Sequence, residues 1–206
     1  MIDHRPVRFY LHEPLAVQMT VFLSVTTECP ILIGIFEGFS WIRCEGKGSF
    51  LNSPIMKTFG DERISAGERC LVVDLGGCTG MDSTFMGTLA GMATRLLTQD
   101  GGVLQIAESG TRNRRSLEDL GLDFLMEIDP AATDWQNQID EIRTRLKPPQ
   151  KVAVPGQVQR AMHVLEAHQV LSETNENNAK VFSDVVSLLE GELAEKQKLA
   201  ESPEKS

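Results

Sequence analysis

Apolar positions along this chain change their spacing several times, and each change marks a different element. Two short apolar runs, residues 31–36 and 39–45, flank Glu37-Gly38, the pattern of two strands joined by a tight turn. Residues 53–64 set Ile55, Met56, Phe59 and Ile64 on one broad face and carry Pro54 in the first turn, where a helix tolerates it. The run Cys70-Leu71-Val72-Val73-Asp74-Leu75 predicts a short buried strand closing on Gly76-Gly77. The strongest helical signal covers residues 83–97, with Met86, Leu89, Ala93 and Leu96 at steps of three and four. A strand at 103–107, a helix at 113–120 and a strand at 124–128 follow. A further helix at 134–146 holds Trp135, Ile139, Ile142 and Leu146 in register and stops at Pro148-Pro149.

Helices long enough for crossovers separate the later strands, so these strands are expected to be parallel, while the opening hairpin adds an antiparallel pair. The expected fold class is α/β: a mixed, mostly parallel sheet packed with helices over residues 31–147, followed by a long C-terminal helical extension. Residues 148–155 carry Pro148, Pro149 and Pro155 and predict a stiff linker. The C-terminal element, residues 156–198, shows apolar and small residues at alternating steps of three and four from Val158 to Leu193. Taken as one helix, this seam spans roughly 36 residues, or ~54 Å, and suits a coiled coil whose polar middle (His168, Ser172, Asn175) fixes the register. Taken as two, it is a pair of amphipathic helices broken near residues 174–178 and folded back on the domain. Residues 1–30 show no sustained period and predict a poorly ordered N-terminal extension, and residues 199–206 predict a disordered, charged tail.

The chain has 206 residues, 41% apolar and 24% charged, enough for one domain with a sizeable core and an addition to it. Its 20 basic and 29 acidic side chains give a net charge of −9, which argues against nucleic acid as a partner. No apolar run approaches the ~20 residues of a membrane span, so no membrane partner is expected. Glu13, Pro14 and Gln18 interrupt what would be a secretion signal, and the expected location is the cytoplasm. Cys29, Cys44, Cys70 and Cys78 lack C-x-x-C spacing and are expected to be reduced, mostly buried thiols. His163 and His168 lie five apart, off the shared face that a helical metal pair needs, and His4 and His12 add nothing; no metal or cofactor is expected.

Chemistry concentrates where the strand at 70–75 turns through Gly76-Gly77-Cys78-Thr79-Gly80-Met81 into Asp82-Ser83-Thr84, because open α/β sheets gather binding sites at strand carboxyl ends. Ser83 is placed to be the N-cap of the following helix, a role that alone contributes ~1 kcal/mol. The functional alternative makes Ser83 a phosphorylation site. A phosphate there meets unpaired N–H groups and the positive end of the helix dipole, and adds roughly −1.5 to −2 charges beside Asp82, enough to spoil a docked surface. Enzyme patterns are missing: no G-x-S-x-G surrounds Ser83, no histidine falls within residues 31–147, and the glycines match neither nucleotide-binding spacing. Asp74 reads as a solvated or capping carboxylate. Arg112, Arg114 and Arg115 read as a solvated basic face, or as one turned toward a phosphate or acidic partner.

The run CLVVDLGGCTGMDSTFMGTLAGMATRLL resembles the core of STAS domains, specifically anti-sigma factor antagonists, where a strand leads through a loop ending in Asp-Ser-Ser/Thr to a Gly-Leu-Gly helix start. Asp82, Ser83, Thr84 and Gly87 match in order, and NRRSLEDLGLDFLMEI is similar to the family's next helix, glycine turn (Gly121) and last strand. The resemblance implies a partner switch without catalysis. The unmodified protein would bind an anti-sigma factor, often a serine kinase; phosphorylation of Ser83 would break that complex and a phosphatase would restore it. Asp82 would shape the loop, with Thr84 and Gly87 shaping the helix start beneath the partner. The usual Gly-Leu is replaced by Phe85-Met86, which puts a large apolar side chain beside the switch, as core or as partner anchor. Lys47-Gly48-Ser49 stands where many members carry an acidic residue. The expected site is therefore Ser83 for phosphorylation, with Asp82, Thr84, Phe85, Met86 and Gly87 as switch loop and partner surface. The competing expectation is a non-catalytic scaffold that forms homo-oligomers through the C-terminal helix, with Ser83 only a helix cap.

Overall fold

A computed structural model describes residues 30–150 and 155–201. β1 (Ile31–Ile35) and β2 (Ser40–Cys44) form the expected antiparallel hairpin, closed by a 3.0 Å bond from the Phe36 N–H to the Phe39 carbonyl. Then come β3 (Gly46–Gly48), α1 (Ser53–Ser65), β4 (Cys70–Asp74), β5 (Cys78–Met81), α2 (Ser83–Leu97) and β6 (Val103–Ala107). α3 (Gly110–Asp119), β7 (Glu127–Ile128) and α4 (Ile139–Arg145) complete the α/β unit, and α5 (Gln157–Thr174) and α6 (Glu176–Glu201) follow. The main sheet runs β1-β2-β4-β6-β7, antiparallel at the first pair and parallel at the others, which is the mixed architecture expected.

Because strand side chains alternate, each strand feeds two cores. Ile42, Leu71, Val73, Leu104 and Ile106 face α1, α2 and α3 and meet Met56, Phe85, Leu89 and Leu117. Trp41, Val72 and Ala107 face the other way and meet Trp135 and Ile142, with the two indoles edge to face at 5.3 Å. Covering both faces is what parallel strands require, and it explains the unbroken apolar run of β4.

Several elements depart from the pattern in the sequence. β3 and β5 pair as a separate two-stranded parallel ladder where a glycine loop was expected, since Gly46, Gly48 and Gly80 have no side chains to alternate. The strand expected at 124–128 shrinks to β7. Gly121, at φ 67°, starts a 3-10 turn over Leu122–Phe124 that buries Leu122 and Met126 and leaves Phe124 87% exposed. α3 starts earlier than expected, at Gly110, and the 134–146 helix is delayed to Ile139 by a 3-10 turn over Gln136–Gln138. Past α4, Ile33 and Lys147 exchange backbone hydrogen bonds of 2.9 and 3.0 Å along the outer edge of β1.

The C-terminal region is a helix pair rather than one continuous rod. Asn175 is extended and breaks the seam, α6 folds back on α5, and α5 lies across α2. Leu165, His168 and Phe182, all seam positions, are buried inside this arrangement. The polar middle of the seam supplies the break: Asn175 and Asn178 both donate side-chain hydrogen bonds to the Leu120 carbonyl, at 3.2 and 2.9 Å. The Asn175 side chain also accepts the Asn178 N–H at 2.9 Å. The expected N-terminal extension, much of the linker and most of the tail lie outside the described residues. Among the described residues no helix is long and apolar enough to cross a membrane.

Candidate functional site

Asp82, not Ser83, is the N-cap of α2. Its backbone is extended, and one carboxylate oxygen accepts the Phe85 N–H at 2.9 Å while the other accepts the Phe50 N–H at 2.9 Å. Its own N–H donates to the Gly48 carbonyl at 3.0 Å, so one aspartate ties the 48–50 loop to the helix start. The expectation of a Ser83 cap is corrected for a simple reason: a carboxylate offers acceptors to two separate N–H groups, and a single hydroxyl does not serve both. Ser83 becomes the first helical residue, half-buried, with its hydroxyl free of capping.

That hydroxyl reaches across to α5. Ser83 Oγ lies 2.9 Å from His168 Nε2, and His168 Nδ1 lies 2.8 Å from the Val164 carbonyl. A carbonyl accepts only, so Nδ1 carries a proton, and in the neutral imidazole Nε2 accepts from the serine. Phe182 of α6 stands edge-on to the imidazole at 5.8 Å. Five residues earlier His163 makes a parallel contact, with Nε2 at 2.8 Å from Ser53 Oγ and 3.5 Å from Thr88 Oγ1. Burial, with Lys57 nearby, pushes His163 down to about 4, so it is neutral at ordinary pH. Between the two histidines the helix backbones nearly touch. A Cβ added to Gly87 would stand 2.7 Å from the Ala167 carbonyl carbon and 3.0 Å from its Cα. Neither histidine was legible as a site residue from sequence, since His168 lies 85 residues from Ser83; the one signal was the place of His168 in the polar middle of the seam.

The remaining expected site residues divide by depth. Asp82, Ser83 and Met86 are partly accessible, whereas Thr84, Phe85 and Gly87 are buried. Phe85 is core and not a partner anchor: its ring lies against Gly48, where an added Cβ would sit 2.9 Å from it. Thr84 offers its carbonyl to the Thr88 hydroxyl at 2.8 Å. Lys47 and Gly48 belong to β3, and β3 pairs with β5, so the early loop and the glycine loop form one platform under the start of α2.

A buried ion cluster fixes that platform. Asp74 is fully buried at the end of β4, and Arg143 grips both its oxygens at 2.8 and 2.9 Å while Arg43 donates at 2.6 Å. The Gly76 N–H adds a fourth bond at 2.9 Å. Burial alone would raise the Asp74 pKa, but these donors outweigh it and hold the carboxyl below its ordinary value. Of the two expectations for Asp74, a solvated or a capping carboxylate, the solvated one is thus corrected, while the Gly76 N–H is capped as the other has it. The basic cluster is answered locally: Arg112 donates to the Thr79 carbonyl at 3.2 Å, Arg114 pairs with Asp129 and Glu118, and Arg115 with Asp119. Cys44, Cys70 and Cys78 are free thiols, and Cys29 lies outside the described residues. No group of three or more metal-binding side chains occurs among the described residues.

Chemically, a serine held by a histidine is the start of a nucleophile and its base. The groove of about 300 Å³ between α1, α2 and α5 is lined by Lys57, Thr88, Gly91, His163 and Val170 and includes neither Ser83 nor His168. The pair faces packed helix rather than a substrate cavity.

No family model matches the chain, and no curated protein matches it. Several solved structures do. The Bacillus cell-fate determinant SpoIIAA in its phosphorylated form is 19% identical, with 55% of this chain and 99% of that one covered at a TM-score of 0.42. An anti-sigma factor antagonist from Mycobacterium paratuberculosis is 19% identical over 55% of this chain and 92% of its own, at 0.43. The Thermotoga maritima protein TM1081 is 14% identical over 70% of this chain and all of its own, at 0.44. All three scores lie below 0.5, and it is the geometry around Ser83 that bears on function.

Proposed function

We infer that this chain is a regulatory binding protein of the anti-sigma factor antagonist type. It holds an anti-sigma factor, or a serine kinase acting as one, while Ser83 is unmodified, and releases it when Ser83 is phosphorylated. A phosphatase resets it, the domain itself catalyses nothing, and its place is the cytoplasm. The observation that carries this reading is the division of labour at the start of α2. Asp82 does the capping, which leaves Ser83 no structural duty within its own helix. A phosphate on the first residue of a helix meets the positive end of the dipole, so α2 accepts the group without unfolding. The added charge stands beside Asp82 and is repelled and costly to desolvate at any docked surface. The ordered match of Asp82, Ser83, Thr84 and Gly87 to the family pattern supports the same conclusion. Asp82, Ser83 and Met86 form the accessible part of the partner surface, and Thr84, Phe85 and Gly87 support it from beneath. The scaffold alternative has less behind it, because its capping serine is not a cap and the seam positions Leu165, His168 and Phe182 are buried within the helix pair.

The test is peptide mass spectrometry across residues 81–95 of protein isolated from its native cells. Phosphate on Ser83 that disappears in Ser83→Ala is the expected result. An unmodified Ser83 across growth and stress conditions overturns the reading.

A further inference from the structure

We propose that the α5–α6 pair is a built-in occupant of the α2 surface, so that the chain passes between a closed form, with the half-buried Ser83 held against α5, and an open form in which partner and kinase reach Ser83 and the α2 face in full. This rests on Ser83 being the switch residue. The closed form is the one described above: the Ser83 hydroxyl is engaged by His168 at 2.9 Å. That separation leaves no space for a phosphorus atom and its oxygens between Oγ and Nε2. A phosphorylated Ser83 has no hydroxyl proton to donate and cannot re-form this contact, so modification removes one of the latches that hold this end of α5 on α2.

The way α5 docks suits a reversible cover. Its nearest approach to α2 is backbone against glycine, Ala167 against Gly87, a crossing that any partner helix with a small residue there can reproduce. Its latches are polar: His163 to Ser53, His168 to Ser83, and Asn175 and Asn178 to the Leu120 carbonyl. Hydrogen bonds of this kind exchange for water or for partner groups at small net cost, and the apolar side chains that opening would uncover are few, Leu165, Leu171 and Phe182. Of the side chains from α5 and α6, Leu171 and Phe182 join the main core cluster, with Val170 packed at its border. The strands carry their own cores on both faces without the pair. The partner's helical surface thus competes with α5 for one face, and its apparent affinity is lowered by the fraction of chain that is closed.

Thiol labelling of full-length protein tests this without any partner. Ser83→Cys places a probe at the covered position, and N-ethylmaleimide labelling there is followed by peptide mass spectrometry, with the native cysteines read separately. Adding Ala167→Arg drives α5 off α2, and labelling at position 83 should rise by at least roughly tenfold, in proportion to the open fraction. Amide hydrogen exchange of β4 and β6 should match that of Ser83→Cys alone, showing that the sheet is intact. If Ala167→Arg loses that protection, Val170→Asp at the border of the contact replaces it. Equal labelling with an intact sheet overturns the cover, even if Ser83 carries phosphate in cells. Faster labelling supports the cover, and if no phosphate is ever found on Ser83 it is the phosphorylation switch that falls instead.

Discussion

Gly87→Ala separates two opposing effects on one helix. Adding a methyl group to α2 favours the helix itself by about 0.5–1 kcal/mol, because glycine has the more flexible unfolded backbone. Against this, the new Cβ would lie 2.7 Å from the Ala167 carbonyl carbon, where non-bonded carbons prefer about 3.5–4.0 Å. The obstacle is backbone, so no rotamer change relieves it, and α5 must retreat by roughly 1 Å at the crossing. His168 is the next residue, so its 2.9 Å bond to Ser83 goes with it. Overpacking costs about 1–3 kcal/mol and the lost hydrogen bond about 1 kcal/mol, for a net loss near 2 kcal/mol. Gly91→Ala, one turn along the same helix, is the control. Its Cβ would meet Val170 Cγ2 at an ordinary 3.8 Å, so the helix gain stands alone and the variant should be slightly more stable. Urea unfolding read by far-UV circular dichroism and by tryptophan fluorescence measures both. Trp41 and Trp135 sit in the core on the far side of the sheet, so loosening of α5 alone lowers the dichroism midpoint before the fluorescence midpoint. A Gly87→Ala protein as stable as Gly91→Ala, with coincident transitions, would refute the close crossing.

Two further perturbations address the platform and the second histidine. Asp74→Asn leaves two guanidinium groups without their buried counter-charge and should lower unfolding free energy by about 3–5 kcal/mol in chemical denaturation; a loss under 1 kcal/mol would show that the cluster does not hold the loop. His163 binds its proton more weakly folded, at about 4, than unfolded, at 6.5, so its contribution is fully present above pH 6.5 and is lost as pH falls toward 4. That gap corresponds to about 3 kcal/mol, and denaturation of wild type and His163→Gln at pH 7 and pH 5 should show the steeper decline in wild type; parallel declines would contradict it.

The sequence carried the sheet and α2 clearly because their signals are local. Met86, Leu89, Ala93 and Leu96 repeat at helical spacing, and Val103–Ala107 is a strand with the same bounds in both pattern and structure. Signals failed where pairing or packing decides. Gly46–Gly48 becomes a strand because β5 lies beside it, and nothing in three residues of Gly-Lys-Gly announces that. Residues 124–128 look like a strand, but the turn set by Gly121 places Leu122 and Met126 four apart on the core side. The break at Asn175 was readable as one of two outcomes, whereas the docking of α5 on α2 was not. It depends on a glycine and an alanine 80 positions apart in the chain, neither of which carries a chemical signature.

The outer edge of β1 has a consequence for how this protein associates. An edge strand presents unpaired N–H and carbonyl groups that invite another chain to extend the sheet. Here Lys147 takes up the N–H and carbonyl of Ile33 in the middle of that edge, and the opposite edge, β7, is two residues long. Growth by strand addition is blunted on both sides. Contacts with other chains are thereby channelled to helical and loop surfaces, and the folded unit gains protection from the irreversible sheet-to-sheet pairing that leads to aggregation.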